Sequence, residues 1–365
     1  MMWLIGMALG YFAIRFFIVV ANYISNPVLQ LNGRSSGQSL VSVLIPARNE
    51  SGNIDRLLAS LAKQHDAVLE ILVLDDHSED NTTAVVRQAA MDDRRIRLLR
   101  GKELPHGWLG KNWACHQLAS EAQGNYFLFL DADVEVEEGL TGALIHECEN
   151  KKLALLSVFP RQQMVTMGEK VVVPIMNFLL LSLLPLRLVY SSSHASLAAA
   201  NGQCMFFHGE TYRKFQWHES VKNNVAEDIQ IMKAVKRSRL KGEVQLANEG
   251  IQCRMYRKFG DAVSGFRKNL PEIFAGSRWF MMMHILLSLV LFPLAAWYFP
   301  VMVSVALCLL IVLMRFAISV LSGQSPVMNA LLHPVQMMSL FVIAFLALGS
   351  QWKGSTTWKG RRVKM

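Results

Sequence analysis

Two apolar blocks bracket a polar middle. Residues Met2 to Ala21 contain one charge, Arg15, and Phe280 to Ser350 contain one, Arg315, whereas the chain between them has ordinary polarity. Ten residues of the first block are Leu, Ile, Phe or Val. Each favours insertion into a bilayer by about 0.3–0.6 kcal/mol, against a cost of roughly 2.5–3.5 kcal/mol for the arginine. No basic stretch precedes the block and no small-residue cleavage site follows it, so residues 1–24 read as a retained anchor rather than a cleaved signal. The second block, 281–350, has room for three spans, near 281–298, 301–321 and 333–350, with breaks at Tyr298-Phe299-Pro300 and Ser322 to Pro326. The tail, 351–365, carries Lys353, Lys359, Arg361, Arg362 and Lys364 without an acid. The charge rule sets it on the cytoplasmic side with the polar domain. Three full crossings would set it on the other side, so either one segment is re-entrant or the rule fails here. A third apolar stretch, Val171 to Tyr190, is broken by Pro174 and Pro185. It suits helices lying in the membrane interface, and equally a buried helical hairpin of the polar domain.

Within the polar part, 37–280, short β-rich runs alternate with helical patterns. Residues 41–45, 69–74, 95–99, 126–130 and 153–158 have strand length and composition, and 52–64, 80–91, 111–122 and 138–149 carry helical periodicity. This alternation predicts an α/β fold with a doubly wound, mostly parallel sheet covered on both faces. Ligands of such sheets sit beyond the carboxyl ends of the strands.

The residues at those ends are polar. Pro46-Ala47-Arg48-Asn49-Glu50 follows the first strand and Asp75-Asp76-His77-Ser78 the second. Carboxylates there suit a base N–H or ribose hydroxyls and Arg48 suits phosphate, while Asp76 and Ser78 equally suit caps of the next helix. The apolar run 126–130 leads into Asp131-Ala132-Asp133. On an extended segment side chains two apart point the same way, so both carboxylates face one divalent cation, Mg²⁺ or Mn²⁺, whose other ligands are water and a diphosphate. A plain structural cap is the alternative. Gly110-Lys111, opening a helix, offers backbone N–H groups and an ammonium to a diphosphate, and Trp108 and Trp113 would wall the same site. Glu227-Asp228 opens another helix, where a carboxylate serves either as a general base or simply as an acidic first turn.

Composition narrows the class. The chain of 365 residues is 52% hydrophobic with net charge +9, which excludes disorder and an ordinary soluble protein. The five cysteines, Cys115, Cys148, Cys204, Cys253 and Cys308, have no C-x-x-C spacing and read as reduced core thiols. The basic residues Lys233, Lys236, Arg237, Arg239 and Lys241 lack aromatic interleaving, so nucleic acid is not the expected partner. Anionic lipid headgroups account better for the charge. Neither a P-loop nor a G-x-G-x-x-G occurs.

Taken together, Ile45 to Glu50 (IPARNE), Asp75 to Ser78 (DDHS), Asp131 to Asp133 (DAD) and Glu227-Asp228 (ED) resemble the family 2 inverting glycosyltransferases of GT-A fold. Gly107 to Cys115 (GWLGKNWAC), Arg254-Met255-Tyr256, Gly265 to Asn269 (GFRKN) and Thr357 to Arg361 resemble the membrane glycosyltransferases of the carotenoid-acid and hopanoid type. The resemblance implies a UDP-sugar donor contacted by Pro46, Ala47, Arg48, Glu50, Asp75, Asp76, Lys111 and Asp131. It further implies a divalent metal at Asp131 and Asp133, a catalytic group of Asp228 with Glu227, and an acceptor-side role for Arg254. The Q-x-x-R-W of processive polysaccharide synthases is replaced by Gln252 to Arg257 (QCRMYR), which argues against polymer synthesis. A hexose transferred to a lipophilic isoprenoid or other lipid acceptor, by a multi-pass enzyme of the cell membrane with its catalytic domain in the cytoplasm, is the expected activity. A non-catalytic subunit that binds nucleotide sugars is the alternative from another class.

Overall fold

The computed structural model describes residues 2–31, 39–64, 67–274, 276–298, 300–352, 355–358 and 361–364. Lys353, Lys359 and Gly360 of the expected basic tail lie outside them. After helix α1 (Met2–Ser25), the first half of the domain alternates as predicted: β1 (Val41–Ala47), α2 (Ile54–Ala62), β2 (Val68–Asp75), α3 (Thr82–Asp92), β3 (Ile96–Arg100), α4 (Gly110–Glu121) and β4 (Tyr126–Leu130). The chain continues through β5 (Val134–Val136), α5 (Leu140–Lys151), β6 (Leu155–Phe159) and the short β7 (Arg161–Gln162). Next come α6 (Met167–Val172), α7 (Pro174–Leu183), α8 (Arg187–Ser191) and β8 (Cys204–His208).

The second half adds α9 (Gly209–Phe215), α10 (Trp217–Ser220), α11 (Glu227–Arg237), β9 (Gly242–Leu246), β10 (Ile251–Cys253) and α12 (Phe259–Ile273). The C-terminal helices are α13 (Arg278–Tyr298), α14 (Val301–Leu321), α15 (Pro326–Leu331) and α16 (His333–Trp352), followed by the hairpin β11 (Ser355–Trp358) and β12 (Arg361–Lys364).

Seven strands form one sheet in the order β3-β2-β1-β4-β8-β6-β9. Its pairings are parallel except around β8, which runs antiparallel to both β4 and β6. Alternate residues of a strand face opposite sides, and both sides here are buried. Leu44, Leu72, Phe127 and Phe129 enter one core, whereas Val43, Ile45, Val73 and Leu128 enter the other. That is why these strands read as continuous apolar runs rather than alternating ones.

The expected three C-terminal spans are not reproduced as three independent crossings. Among the described residues α14 alone is long and apolar enough to cross a membrane by itself. The apolar parts of α1 (Leu9–Ser25) and α16 (His333–Gly349) are shorter, and α13 meets α12 at a bend of 109°. Helices α1, α13, α14 and α16 pack on one another and turn one side inward. Along α1, Phe12, Arg15, Val19 and Asn22 are buried while Ile14, Phe17 and Ile24 are exposed. The stretch 171–190 is three short helices, and Ile175, Phe178, Leu179, Leu181 and Val189 are buried in the core that joins sheet and apolar helices. Helix α7 packs on α1, α14 and α16.

Candidate active site

The carboxyl ends of β1, β2 and β4 open onto a cleft of about 330 Å³ lined by Pro46, Ala47, Arg48, Glu50, Asp76, Lys111, Asp131, Asp133, Gln203, Tyr256 and Asn269, among others. Most of the residues singled out from sequence therefore share one cavity. The loops after β1 and β2 are tied together: Ser78 Oγ accepts from the Asn49 N–H (2.9 Å), and Asn49 Oδ1 accepts from the Glu79 N–H (2.8 Å). Arg48 donates to the Asp76 carbonyl at 2.7 Å, which fixes the guanidinium at the rim. Asp75 is placed otherwise. Its carboxylate accepts from the Ser78 N–H (3.2 Å) and the Thr83 hydroxyl (3.1 Å), so it organises the turn into α3 and is not among the lining residues.

Asp131 and Asp133 both line the cleft, but not on an extended segment. The chain turns there, with the Val134 N–H donating to the Asp131 carbonyl at 3.4 Å, so a turn rather than strand alternation brings the two carboxylates together. Burial, reinforced by the charges of Asp131 and Glu50, pushes the Asp133 carboxyl up to about 6. Its Oδ1 is buried without a hydrogen-bond partner among the described residues. A carboxylate oxygen in that condition, beside two further carboxylates, fits a cation. Among the described residues no group of three His, Cys, Asp or Glu side chains encloses a metal by itself. Two carboxylates with the remaining positions left to diphosphate and water are the usual ligand set for Mg²⁺ or Mn²⁺.

Lys111 stands in the first turn of α4 because Gly110 opens that helix, with Leu109 held by the Lys222 carbonyl at 2.8 Å. Its Nζ lies 2.9 Å from Asp131 Oδ1 and 3.0 Å from Glu227 Oε1. Burial opposes its charge, yet the Asp131 and Glu227 carboxylates outweigh that effect and hold the ammonium well above its ordinary value. One ammonium thus joins Asp131 in the cleft to the start of α11. Lys111→Ala is expected to weaken UDP-sugar binding about tenfold, roughly 1.4 kcal/mol, and to lower the melting temperature, with Lys111→Arg intermediate. Titration calorimetry and thermal unfolding measure the two effects, and unchanged affinity would remove Lys111 from the donor site.

Asp228 accepts from the Gly202 N–H (3.0 Å) and the Ile229 N–H (2.8 Å). Burial, then the neighbouring Glu227 charge, raises its carboxyl to about 7. A group poised near neutrality suits proton transfer. Arg254 is turned away: its Nε donates to Glu169 Oε1 at 3.0 Å, and the fully buried Glu169 also caps α6 through Thr166. Trp108 and Trp113 likewise miss the cleft. They stack with His116, at ring distances of 5.0 and 5.6 Å, on the far side of α4 from Lys111.

The structure adds residues to which sequence reasoning gave no role. The turn Asn201-Gly202-Gln203 carries the Asp228 contact, and the Gln203 carbonyl accepts from the Asp131 N–H at 3.2 Å. A Cβ at Gly202 would stand 3.1 Å from Lys111 Nζ and 3.2 Å from Glu227 Oε1. A glycine-containing turn entering the apolar run Cys204 to Phe207 is the sequence signal that marks it. Tyr256 and Asn269 line the other wall, and a Cβ at Gly265 would collide with the Tyr256 ring. Gly265→Ala should therefore cost about 1–3 kcal/mol of stability. Combining it with Tyr256→Ala should recover part of the loss, as a double-mutant cycle on melting data would show.

The sheet has a GT-A-like fold. Residues 42–195 match the family model for glycosyl transferase family 2, so the chain carries a family 2 domain. It is 27% identical over 260 residues to a 4,4'-diaponeurosporenoate glycosyltransferase of Staphylococcus haemolyticus, covering 68% of this chain and 66% of that protein. It is 30% identical over 107 residues to a GalNAc(5)-diNAcBac-PP-undecaprenol beta-1,3-glucosyltransferase of Campylobacter jejuni, covering 29% of this chain and 34% of that protein. In fold it is similar to a mannosyltransferase of Pyrobaculum calidifontis solved with GDP-Man and Mn²⁺. That match has a TM-score of 0.55 at 14% identity, covering 95% of this chain and 99% of the other.

Proposed function

We propose that the chain is a membrane-bound inverting glycosyltransferase that moves a hexose, glucose from UDP-glucose, onto a lipophilic acceptor such as a carotenoid acid. The observation that carries this reading is the meeting of two carboxylate pairs through one lysine: Asp131 on the donor side and Glu227, adjacent to Asp228, on the acceptor side both contact Lys111. Arg48, Glu50 and Asp76 would hold the nucleotide at the ends of β1 and β2. Asp131 and Asp133 would hold Mg²⁺ or Mn²⁺, which, when bound, offsets charge on the diphosphate. Lys111 sits within reach of the same charge. The acceptor oxygen bonds to the anomeric carbon as the bond to UDP breaks, its electron pair passing to the diphosphate; a carboxylate acceptor brings no proton, whereas a hydroxyl would give its proton to Asp228. Attack from the face opposite UDP inverts the anomeric centre.

The apolar helices support a membrane location with the catalytic domain in the cytoplasm, because an isoprenoid acceptor partitions into the bilayer. Incubating the purified full chain with labelled UDP-sugars and extracted membrane lipids tests the proposal. A labelled lipid and stoichiometric UDP are expected. Nucleotide-sugar binding with no UDP release under any metal would instead make the chain a non-catalytic subunit. A hydroxyl acceptor, such as a polyprenyl-linked sugar, is the second reading, favoured by the raised Asp228 carboxyl and by the undecaprenol-linked substrate in the name of the Campylobacter relative.

A further inference from the structure

The two charges carried by the apolar blocks, Arg15 and Arg315, are brought to one place. The Cζ of Arg15 lies 4.5 Å and that of Arg315 4.6 Å from the centre of the Phe178 ring, so the two guanidinium groups are within about 9 Å of each other. Both side chains are almost wholly buried, at 2% and 1% exposure. Among the described residues every group they contact is neutral: Ser182, Tyr11 and Ser288 hydroxyls and the Phe178 ring for Arg15, the Asn329 carbonyl and the same ring for Arg315. A guanidinium does not deprotonate to escape burial, and two of them in apolar surroundings require a counter-charge.

Among the described residues the open valences around them are two donors, beside the Gln336 Oε1 acceptor and His333 Nδ1. Arg315 Nη2 and Gln324 Nε2 are buried without partners among the described residues. They belong to one network. Asn329 donates to Ser319 and Gln324 (both 2.9 Å), and Gln336 donates to Asn329 Oδ1 (3.1 Å) and to the Lys170 carbonyl (2.9 Å). No acid belongs to it.

Its depth is set by the end of α14. The Val320 carbonyl accepts from Asn248 of the sheet domain at 3.4 Å, and Gly323 lies against Arg161. Arg315 is five residues, about 7.5 Å, further along the helix. Given the membrane reading above, on which this inference rests, that is the level of lipid headgroups.

We propose that Arg15 and Arg315, with the Gln324–Asn329–Gln336 network, form a binding site for a phosphate oxyanion carried on the headgroup of an anionic phospholipid. Basic pockets between membrane helices recognise such headgroups. The network supplies the uncharged donors, and the apolar helices flank the acyl chains.

The test uses the full chain. Purified in neutral detergent, it is expected to retain about one anionic phospholipid in native mass spectrometry. In vesicles it should melt at a higher temperature with phosphatidylglycerol than with phosphatidylcholine alone, and Arg15→Gln/Arg315→Gln should lose that difference. Inorganic phosphate added in detergent separates the sources: no shift assigns the site to a headgroup, and a full shift to a free oxyanion. Equal melting in all lipids with no retained anionic lipid overturns the proposal on the unmodified chain, even if the variant fails to fold. Failure to float with neutral vesicles would overturn the membrane reading, and absence of sugar transfer the functional one.

Discussion

Asp133→Asn is expected to lower sugar transfer by a factor of about 10³ and at the same time to raise the melting temperature of the metal-free protein at pH 8. The first effect would follow, on the proposed reading, from losing a ligand of the cation that would offset charge on the leaving diphosphate. The second follows from linkage. Burial and the charges of Asp131 and Glu50 raise the Asp133 carboxyl to about 6 in the folded chain, against an ordinary carboxylate value near 4. The folded state therefore binds this proton more tightly than the unfolded state does. The stabilisation is fully present below about pH 4 and is lost as pH rises through about 6. Above that the folded chain carries an ionised group it disfavours. Replacing it by an amide removes the penalty, with an expected gain of a few degrees in chelator. Added Mn²⁺ should stabilise the unmodified chain and leave the variant unmoved. Near-normal turnover of Asp133→Asn, or a lower melting temperature in chelator at pH 8, refutes the assignment.

The second large effect concerns Asp228 and depends on the acceptor. A hydroxyl needs a base within hydrogen-bond reach, worth about 10²–10⁴ in rate. A carboxylic acid is already ionised at neutral pH. Asp228→Asn should cost that full factor with a hydroxylated lipid and little with a carotenoid acid. With the alcohol, kcat of the unmodified enzyme should climb through about pH 7, where the folded structure sets this carboxyl, and the variant should lose that limb. Full activity of the variant on the alcohol removes Asp228 from the base role. Complete loss with the acid contradicts the nucleophile argument and makes Asp228 a binding group instead.

Much of the sheet's leading half was legible because its strands are buried on both faces and read as short apolar runs. Val41 to Ile45 and Tyr126 to Leu130 announce both the strand and the polar residues that must follow it. What escaped was of two kinds. Strand β8 is a five-residue run and β9 a five-residue run holding Glu243 and Gln245, too short for periodicity alone to separate Cys204 to Phe207 from a buried helix. Side-chain direction was the other. Asp75 and Arg254 have the chemistry of ligands, and in the structure they are hydrogen-bonded to Ser78, Thr83 and Glu169. Gln203 enters the cleft through the turn before β8, for which Gly202 ahead of an apolar run was the one sequence signal. Arg15 and Arg315 were visible as lone charges in apolar blocks, but their convergence on Phe178 is a tertiary fact.

The antiparallel β8 gives the sheet a seam with consequences during synthesis. Strand β4 is finished at Leu130 and β6 at Phe159, but the strand that pairs with both begins only at Cys204. Helices α6 to α8, which finish packed against α1 and the C-terminal helices, are made in between. Until β8 arrives, two strands expose unpaired edges, the kind of surface that recruits other chains. A nascent chain stalled before residue 204 should therefore need chaperone protection, whereas one stalled after residue 246 has its sheet closed. The order of synthesis thereby lets the catalytic sheet close before the C-terminal helices that pack on α6 and α7 are made.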